Sequence, residues 1–320
     1  MPTALLIAAF LAAAAPAAEF SRGAPPRLPA LPALAASPLG GTGIPGGLGA
    51  APTAPLASAS FDQTASLKAL QKAVRAGEAG PLPAAAAEVR YLLVPGFSWR
   101  ALPGYFAPGV ERLRSLGLDA LRVDTQAFGR VADNARLLRE EIARSDKPVV
   151  VIGHSRGGLE ALEALRQDPA LGAKVRAVVT LQSPWGGTPA AKLAPQSLLP
   201  QSRTLGETSL LPELPEGVLL RSVATRLGRR TWARPLALAA ARLMRLAAGQ
   251  DNDGVVPTAA AIVPGSVYAT LDHVGHWDTV AGAGALKLLG LGAREHDPRF
   301  AADLAEALVR WLFTTGTPPR

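Results

Sequence analysis

Six short runs of aliphatic and β-branched residues punctuate this chain, at 89–94, 118–123, 148–153, 175–181, 218–224 and 266–271, with helical patterns between them. No other feature limits the possible folds as much. A run such as Pro148-Val149-Val150-Val151-Ile152-Gly153 has no polar face, so a strand made from it must be covered on both sides. The stretches 131–145 and 156–166 read as helices, and at 298–313 Phe300, Leu304, Ala307, Leu308 and Trp311 recur at helical spacing. An earlier amphipathic helix begins after Asp62, with Leu67, Leu70 and Val74 on one face and Gly77 where it should stop. Strands alternating with helices predict a three-layer α/β fold: a mostly parallel sheet of about six strands, right-handed crossovers, and helices on both faces.

The first sixty residues fall outside this pattern. They carry only Glu19, Arg22 and Arg27 as charges and consist mostly of Ala, Pro, Gly and Leu. The uncharged apolar run 4–15 is too short to span a bilayer as a permanent helix, and Ala15-Pro16-Ala17-Ala18-Glu19 offers small residues at a cleavage-like boundary. This resembles a secretory signal peptide, although Met1-Pro2-Thr3 supplies no positive side chain. The expected organisation is a signal-like segment at 1–18, a Pro/Ala/Gly-rich linker at 19–60, and one domain at 61–320. The expected location is periplasmic or extracellular, or cytoplasmic if the first segment is not a signal.

Charge and cysteine content exclude several classes of function. The chain has 33 basic and 25 acidic residues, a net charge of +8, but the arginines are scattered and no Lys/Arg block appears. No nucleic-acid partner is therefore expected. A hydrophobic content of 48% excludes disorder throughout. The absence of cysteine excludes a disulfide scaffold, a thiol nucleophile and a Cys-ligated zinc site.

In a parallel sheet the chemistry gathers at the carboxyl ends of the strands. After the run ending at Ile152 comes Gly153-His154-Ser155-Arg156-Gly157-Gly158, followed by a helical pattern. This is G-x-S-x-G with a strand before it and a helix after it. A serine in a strained strand-to-helix turn crowds the positions two before and two after, so both must lack side chains. Its hydroxyl is then lifted clear of the sheet as a candidate nucleophile; the alternative is a capping serine in a glycine-rich loop. His154 should point elsewhere and pack or hydrogen-bond.

From these residues the chain resembles the α/β-hydrolase superfamily, and more narrowly the bacterial serine lipases and esterases, over roughly 88–314. Tyr91-Leu92-Leu93-Val94-Pro95-Gly96-Phe97 is similar to their first strand and oxyanion loop, with Pro-Gly where His-Gly is more common. Gly153 to Gly158 is similar to their nucleophile elbow, and Ser183-Pro184-Trp185-Gly186-Gly187-Thr188-Pro189 to a Ser-Pro-x-Gly-Gly-Thr loop. Asn252-Asp253-Gly254-Val255-Val256-Pro257 and His276-Trp277-Asp278 resemble the acid and histidine segments.

The residues themselves point to the same roles. An ester carbonyl under attack becomes an oxyanion that needs two placed N–H donors, here the backbone amides of Phe97 and Arg156. Of the four histidines, His273 and His276 follow the last strand as a general base should, while His296 reads as a loop residue and His154 adjoins the serine. The family's interval between acid and histidine favours His276, since 276 − 253 = 23. Asp253, followed by Gly254, suits the acid, and Asp251 is the alternate.

The resemblance also raises a structural calcium near Asp278, but positions 218–250 contain no Asp or Glu to join it, so no metal or cofactor is expected. The segment 188–217 or the helical pattern 235–249 could form a lid. In the latter, Leu236, Ala240, Leu243, Met244 and Ala247 lie on one arc. Trp185 and Trp277 flank the expected site. The leading function is hydrolysis of carboxylic esters with apolar acyl groups, the substrate being a small-molecule or lipid ester, with transient contact to a lipid surface. The same apparatus would serve an acyltransferase, phospholipase or thioesterase, and an inactive hydrolase fold would serve as a binding protein.

Overall fold

Runs with no polar face demand cover on both sides, and they receive it. In a computed structural model of the protein, which describes residues 61–97, 99–189, 214–227, 235–292 and 298–314, the six runs become β1 (Arg90–Val94), β2 (Asp119–Arg122), β3 (Val149–His154), β4 (Val175–Leu181), β5 (Leu219–Arg226) and β6 (Val267–Asp272). They form one sheet in the order β2-β1-β3-β4-β5-β6 with every pairing parallel. The predicted spans differ from these by two residues at most. The helices are α1 (Thr64–Ala76), α2 (Ala107–Ser115), α3 (Val131–Ala143), α4 (Arg156–Gln167), α5 (Pro235–Ala248), α6 (Ala283–Leu289) and α7 (Phe300–Thr314).

Side chains alternate across each strand and so build two cores. On one face Tyr91, Leu93, Val150 and Ile152 pack with Leu67, Leu113, Leu304 and Trp311 from α1, α2 and α7. On the other, Leu92, Val94, Val149 and Val151 pack with Leu138, Ile142, Leu162 and Leu165 from α3 and α4. α1 ends at Gly77 in the left-handed conformation, as its sequence implied. The chain just before α1 covers the β6 edge: Gln63 N donates to Tyr268 O at 2.8 Å and Tyr268 N to Phe61 O at 2.7 Å.

Among the described side chains of α5, Met244 of the predicted arc is buried and Ala240 and Leu243 are half-buried, but Ala237 and Ala241 outside that arc are buried too and form a small cluster with Leu227 just past β5. Asn252 Nδ2 donates to Ala241 O at 3.1 Å, so the helix rests on the loop that carries Asp253. A helix made almost wholly of Ala and Leu has too few polar positions to fix which face turns inward. Residues 190–213, most of the other lid candidate, lie outside the described residues, as do His296 and residues 1–60.

Candidate active site

The turn from β3 into α4 holds Ser155 at φ +53°, ψ −126°, a conformation that a non-glycine residue adopts only when its surroundings impose it. Those surroundings explain the flanking glycines. A Cβ on Gly153 would lie 2.5 Å from Gly157 O, and one on Gly157 would lie 2.2 Å from Val94 O. Ser155 is half-buried at the N-terminus of α4. The loop after β1 crosses beside it, so closely that a Cβ on Gly96 would meet the Ser155 Cβ at 2.8 Å. Gly96 N donates to Tyr105 Oη at 3.0 Å. The Phe97 and Arg156 amides find no acceptor among the described residues.

Asp253 and His276, from the loops after β5 and β6, come together in the interior. Asp253 Oδ2 lies 2.9 Å from His276 Nδ1, and both residues are buried. A second bond joins their backbones, from His276 N to Asp253 O at 2.9 Å. The carboxylate is fully used: Oδ1 accepts from Val255 N at 2.9 Å and Val256 N at 2.7 Å, and Oδ2 also accepts from Gln182 Nε2 at 3.1 Å. Because a carboxylate only accepts, His276 carries its proton on Nδ1, which leaves the Nε2 lone pair for a substrate or nucleophile proton. Among the described residues neither His276 Nε2 nor Ser155 Oγ has a hydrogen-bond partner, and bonds of this kind often close only in the substrate complex.

The alternates sit elsewhere. Asp251 is exposed and faces Arg245 at 3.1 Å and Arg226 at 3.7 Å. His273 is exposed beside Lys72 and Arg75 of α1. Trp185 is buried in the core on the α3 and α4 face. Trp277 presents its ring edge-on to His276 with centroids 5.4 Å apart. Thr188 Oγ1 donates to Val255 O, tying the loop after β4 to the acid loop. Asp278 Oδ2 accepts from Gly275 N at 2.6 Å and so braces the histidine loop. No group of three potential metal-binding side chains occurs among the described residues.

Among the polar residues around the site, only His154 had a sequence-based expectation, that it packs or hydrogen-bonds, and it does both. His154 is wholly buried behind Ser155; its Nδ1 lies 2.5 Å from Tyr105 Oη, and its Nε2 lies 2.8 Å from His276 O and 3.1 Å from Gln182 Oε1. Burial, and then the positive charge His276 can carry, holds His154 well below the usual histidine pKa. On the other side of Ser155, the buried Arg156 guanidinium lies 2.7 Å from Glu160 Oε1 and donates to Gly129 O at 2.9 Å and Gln126 O at 2.8 Å. Burial pushes Glu160 up to about 7 against the pull of Arg156. Arg156 also lies over the Phe97 ring at 5.3 Å, and Phe128 meets that ring edge-on at 5.3 Å. Gln182 was also within reach of the strand-end rule, since it follows β4 directly.

A family model described as the alpha/beta hydrolase family matches residues 91–316. The chain belongs to the alpha/beta hydrolase family. A search of curated proteins found no match. Among solved structures, this hydrolase is similar to the metagenomic carboxyl esterase MGS0156, with a TM-score of 0.66 and 21% identity over 78% of this chain and 92% of that one. It is also similar to the mature form of Bacillus licheniformis lipase BlEst2, with a TM-score of 0.47 and 18% identity over 60% and 86%. At these identities the likeness to the esterase speaks for the hydrolase fold alone.

Proposed function

We propose that this alpha/beta hydrolase is a serine hydrolase of carboxylic esters with apolar acyl groups. The observation that carries the reading is the buried Asp253–His276 hydrogen bond of 2.9 Å, together with a serine held at φ +53° next to His154, whose ring lies 4.6 Å from that of His276. Ser155 Oγ attacks the ester carbonyl while His276 Nε2 takes its proton, and Asp253 holds the imidazole tautomer and stabilises the imidazolium. The Phe97 and Arg156 amides receive the oxyanion, each worth about 3 kcal/mol in the transition state. His276 returns the proton to the departing alcohol. The acyl-enzyme is then cleaved by a water that His276 deprotonates, and Ser155 recovers its proton. The apolar acyl preference is supported by Phe97 and Phe128, the latter half-exposed on the loop that Arg156 anchors.

The test is hydrolysis of nitrophenyl esters from short to long acyl chains by the full chain and by Ser155→Ala. The expected outcome is measurable wild-type turnover that falls by about 10⁵-fold or more in the variant, together with covalent capture of a serine-directed phosphonate at Ser155. A wild type inert toward every ester and every phosphonate would overturn the reading in favour of a binding role. Export is proposed on the Ala-rich run at 4–15. N-terminal sequencing after passage through an export-competent host should show loss of Met1.

A further inference from the structure

Behind the proposed site runs a chain of buried hydrogen bonds that the reaction scheme does not use. It starts at Gly96, passes through Tyr105, His154 and Gln182, and ends on Asp253. Its direction follows from its last member. Asp253 as a carboxylate can only accept, so the Gln182 amide must present its NH₂ to Oδ2, 3.1 Å away. The same NH₂ faces Gly275 O at 3.1 Å and the Thr225 hydroxyl. The amide oxygen therefore points the other way, where it accepts from Thr279 Oγ1 at 2.6 Å and meets His154 Nε2 at 3.1 Å. Since His154 Nε2 faces two acceptors, Gln182 Oε1 and His276 O, the His154 proton must sit on Nε2. Nδ1 is then an acceptor, Tyr105 donates to it, and the Tyr105 oxygen is free to accept from Gly96 N.

We propose that Tyr105, His154 and Gln182 are positioning residues: one directional hydrogen-bond chain that sets the oxyanion loop at Gly96 and the Asp253–His276 pair together. Each end of the chain lies one bond from a group the reaction needs. Gly96 precedes the Phe97 amide in the backbone, and Gln182 supplies one of the four donors on Asp253. In the middle, His154 donates to the main-chain oxygen of His276 while its ring lies 4.6 Å from that of His276. Reversing any one bond would set oxygen against oxygen or hydrogen against hydrogen somewhere along the buried path, so the device has a single arrangement. The groups facing it are His276, Asp253 and Tyr105, with Arg156 and Glu160 acting on Tyr105 from the α4 side.

The catalytic part of this inference rests on the proposed function; the tautomer part does not, and it is read without substrate. In ¹⁵N spectra of the histidine-labelled full chain, with His154 assigned by its loss in His154→Gln, the expected signal is a neutral ring protonated on Nε2. That signal should stay unchanged from about pH 5 to 8. A ring protonated on Nδ1, or one that gains a second proton within that range, would overturn the inference whatever the enzyme's activity. In turnover, Gln182→Met removes one donor from Asp253, concentrates its charge on His276, and should move the acid limb of kcat/KM upward by about half a pH unit or more. Tyr105→Phe should lower kcat about tenfold with KM within about twofold, as expected for a weakened oxyanion donor. His154→Gln, which can still donate toward Gln182, should retain several-fold more kcat than His154→Leu at equal thermal stability. An unmoved acid limb in Gln182→Met, or equal losses in the two His154 variants, would leave these residues as packing only.

Discussion

Ser155 lies between two buried polar residues that solve the same problem in opposite ways. His154 behind it is neutral, and both ring nitrogens are met by hydrogen bonds. Arg156 ahead of it is charged and paired with Glu160, whose Oε2 finds no partner among the described residues. Burial drives each titrating group toward its neutral form, His154 downward and Glu160 upward. For His154 the neutral form is the one its partners require. For Glu160 it would remove the charge that balances Arg156. The neutral chain therefore transmits orientation without a large desolvation penalty. The ion pair fixes the 126–129 loop and the Phe97 ring at the expense of burying two charges.

The contrast is broken most severely at the end of the neutral chain. Asp253→Asn keeps the shape but removes the obligate acceptor, so His276 can no longer be held in one tautomer; kcat should fall by about 10⁴-fold with little loss of fold, as judged by unfolding curves. On the charged side the effect should be on stability instead. Glu160→Ala leaves the Arg156 guanidinium buried without its counterion and should cost about 3–5 kcal/mol in urea unfolding. The double variant Glu160→Leu with Arg156→Met should recover most of that loss, because two matched apolar groups replace a matched pair of charges. If the single and double variants were equally unstable, the pair would be contributing more than charge balance.

A smaller effect separates the two sides by pH. Glu160 titrates near 7 when folded against 4.5 when free, so its contribution is fully present below 4.5 and is lost as pH rises toward 7. His154 has a depressed folded pKa, so its contribution is present above 6.5 and is lost as pH falls below that. Between about pH 5 and 6.5 the slopes oppose one another, each at most about 1.4 kcal/mol per pH unit. The wild type should therefore show a flat stability profile there. Glu160→Gln should leave a slope rising with pH, and His154→Gln a falling one, each visible in melting temperatures. A wild-type profile that tilts as steeply as either variant would show that one of the two groups does not titrate as its burial implies.

How legible these features were in the sequence follows the same division. Strands such as Val149-Val150-Val151-Ile152 announce themselves because apolar β-branched runs have few other stable uses. Ser155 was legible because close backbone approach excludes side chains at Gly153 and Gly157. The Arg156–Glu160 pair has the i,i+4 spacing of an ordinary surface pair, and nothing in that spacing reveals that both side chains are buried. The neutral chain was less visible still. Tyr105 and His154 are 49 positions apart, and Gln182 and Asp253 are 71 apart, so only the folded crossovers bring them together. Periodicity reports which face is apolar, and it is silent about polar atoms that satisfy one another inside.

The weakest expected effect is also the sharpest check on the acid. Asp251 and Asp253 are two residues apart on one loop, yet one is exposed among arginines and the other is buried with four donors. An exposed pair such as Asp251 with Arg245 contributes at most about 1 kcal/mol, and salt screens it. Asp251→Ala should therefore lower stability by that amount or less and leave kcat within about twofold, with the difference shrinking in high salt. The Asp251 carboxylate touches no part of the chain from Gly96 to Asp253, so the acid limb of kcat/KM should not move either. A large loss of turnover in Asp251→Ala, alongside an active Asp253→Ala, would transfer the role of the acid to Asp251. The buried hydrogen-bond chain would then end on a structural carboxylate.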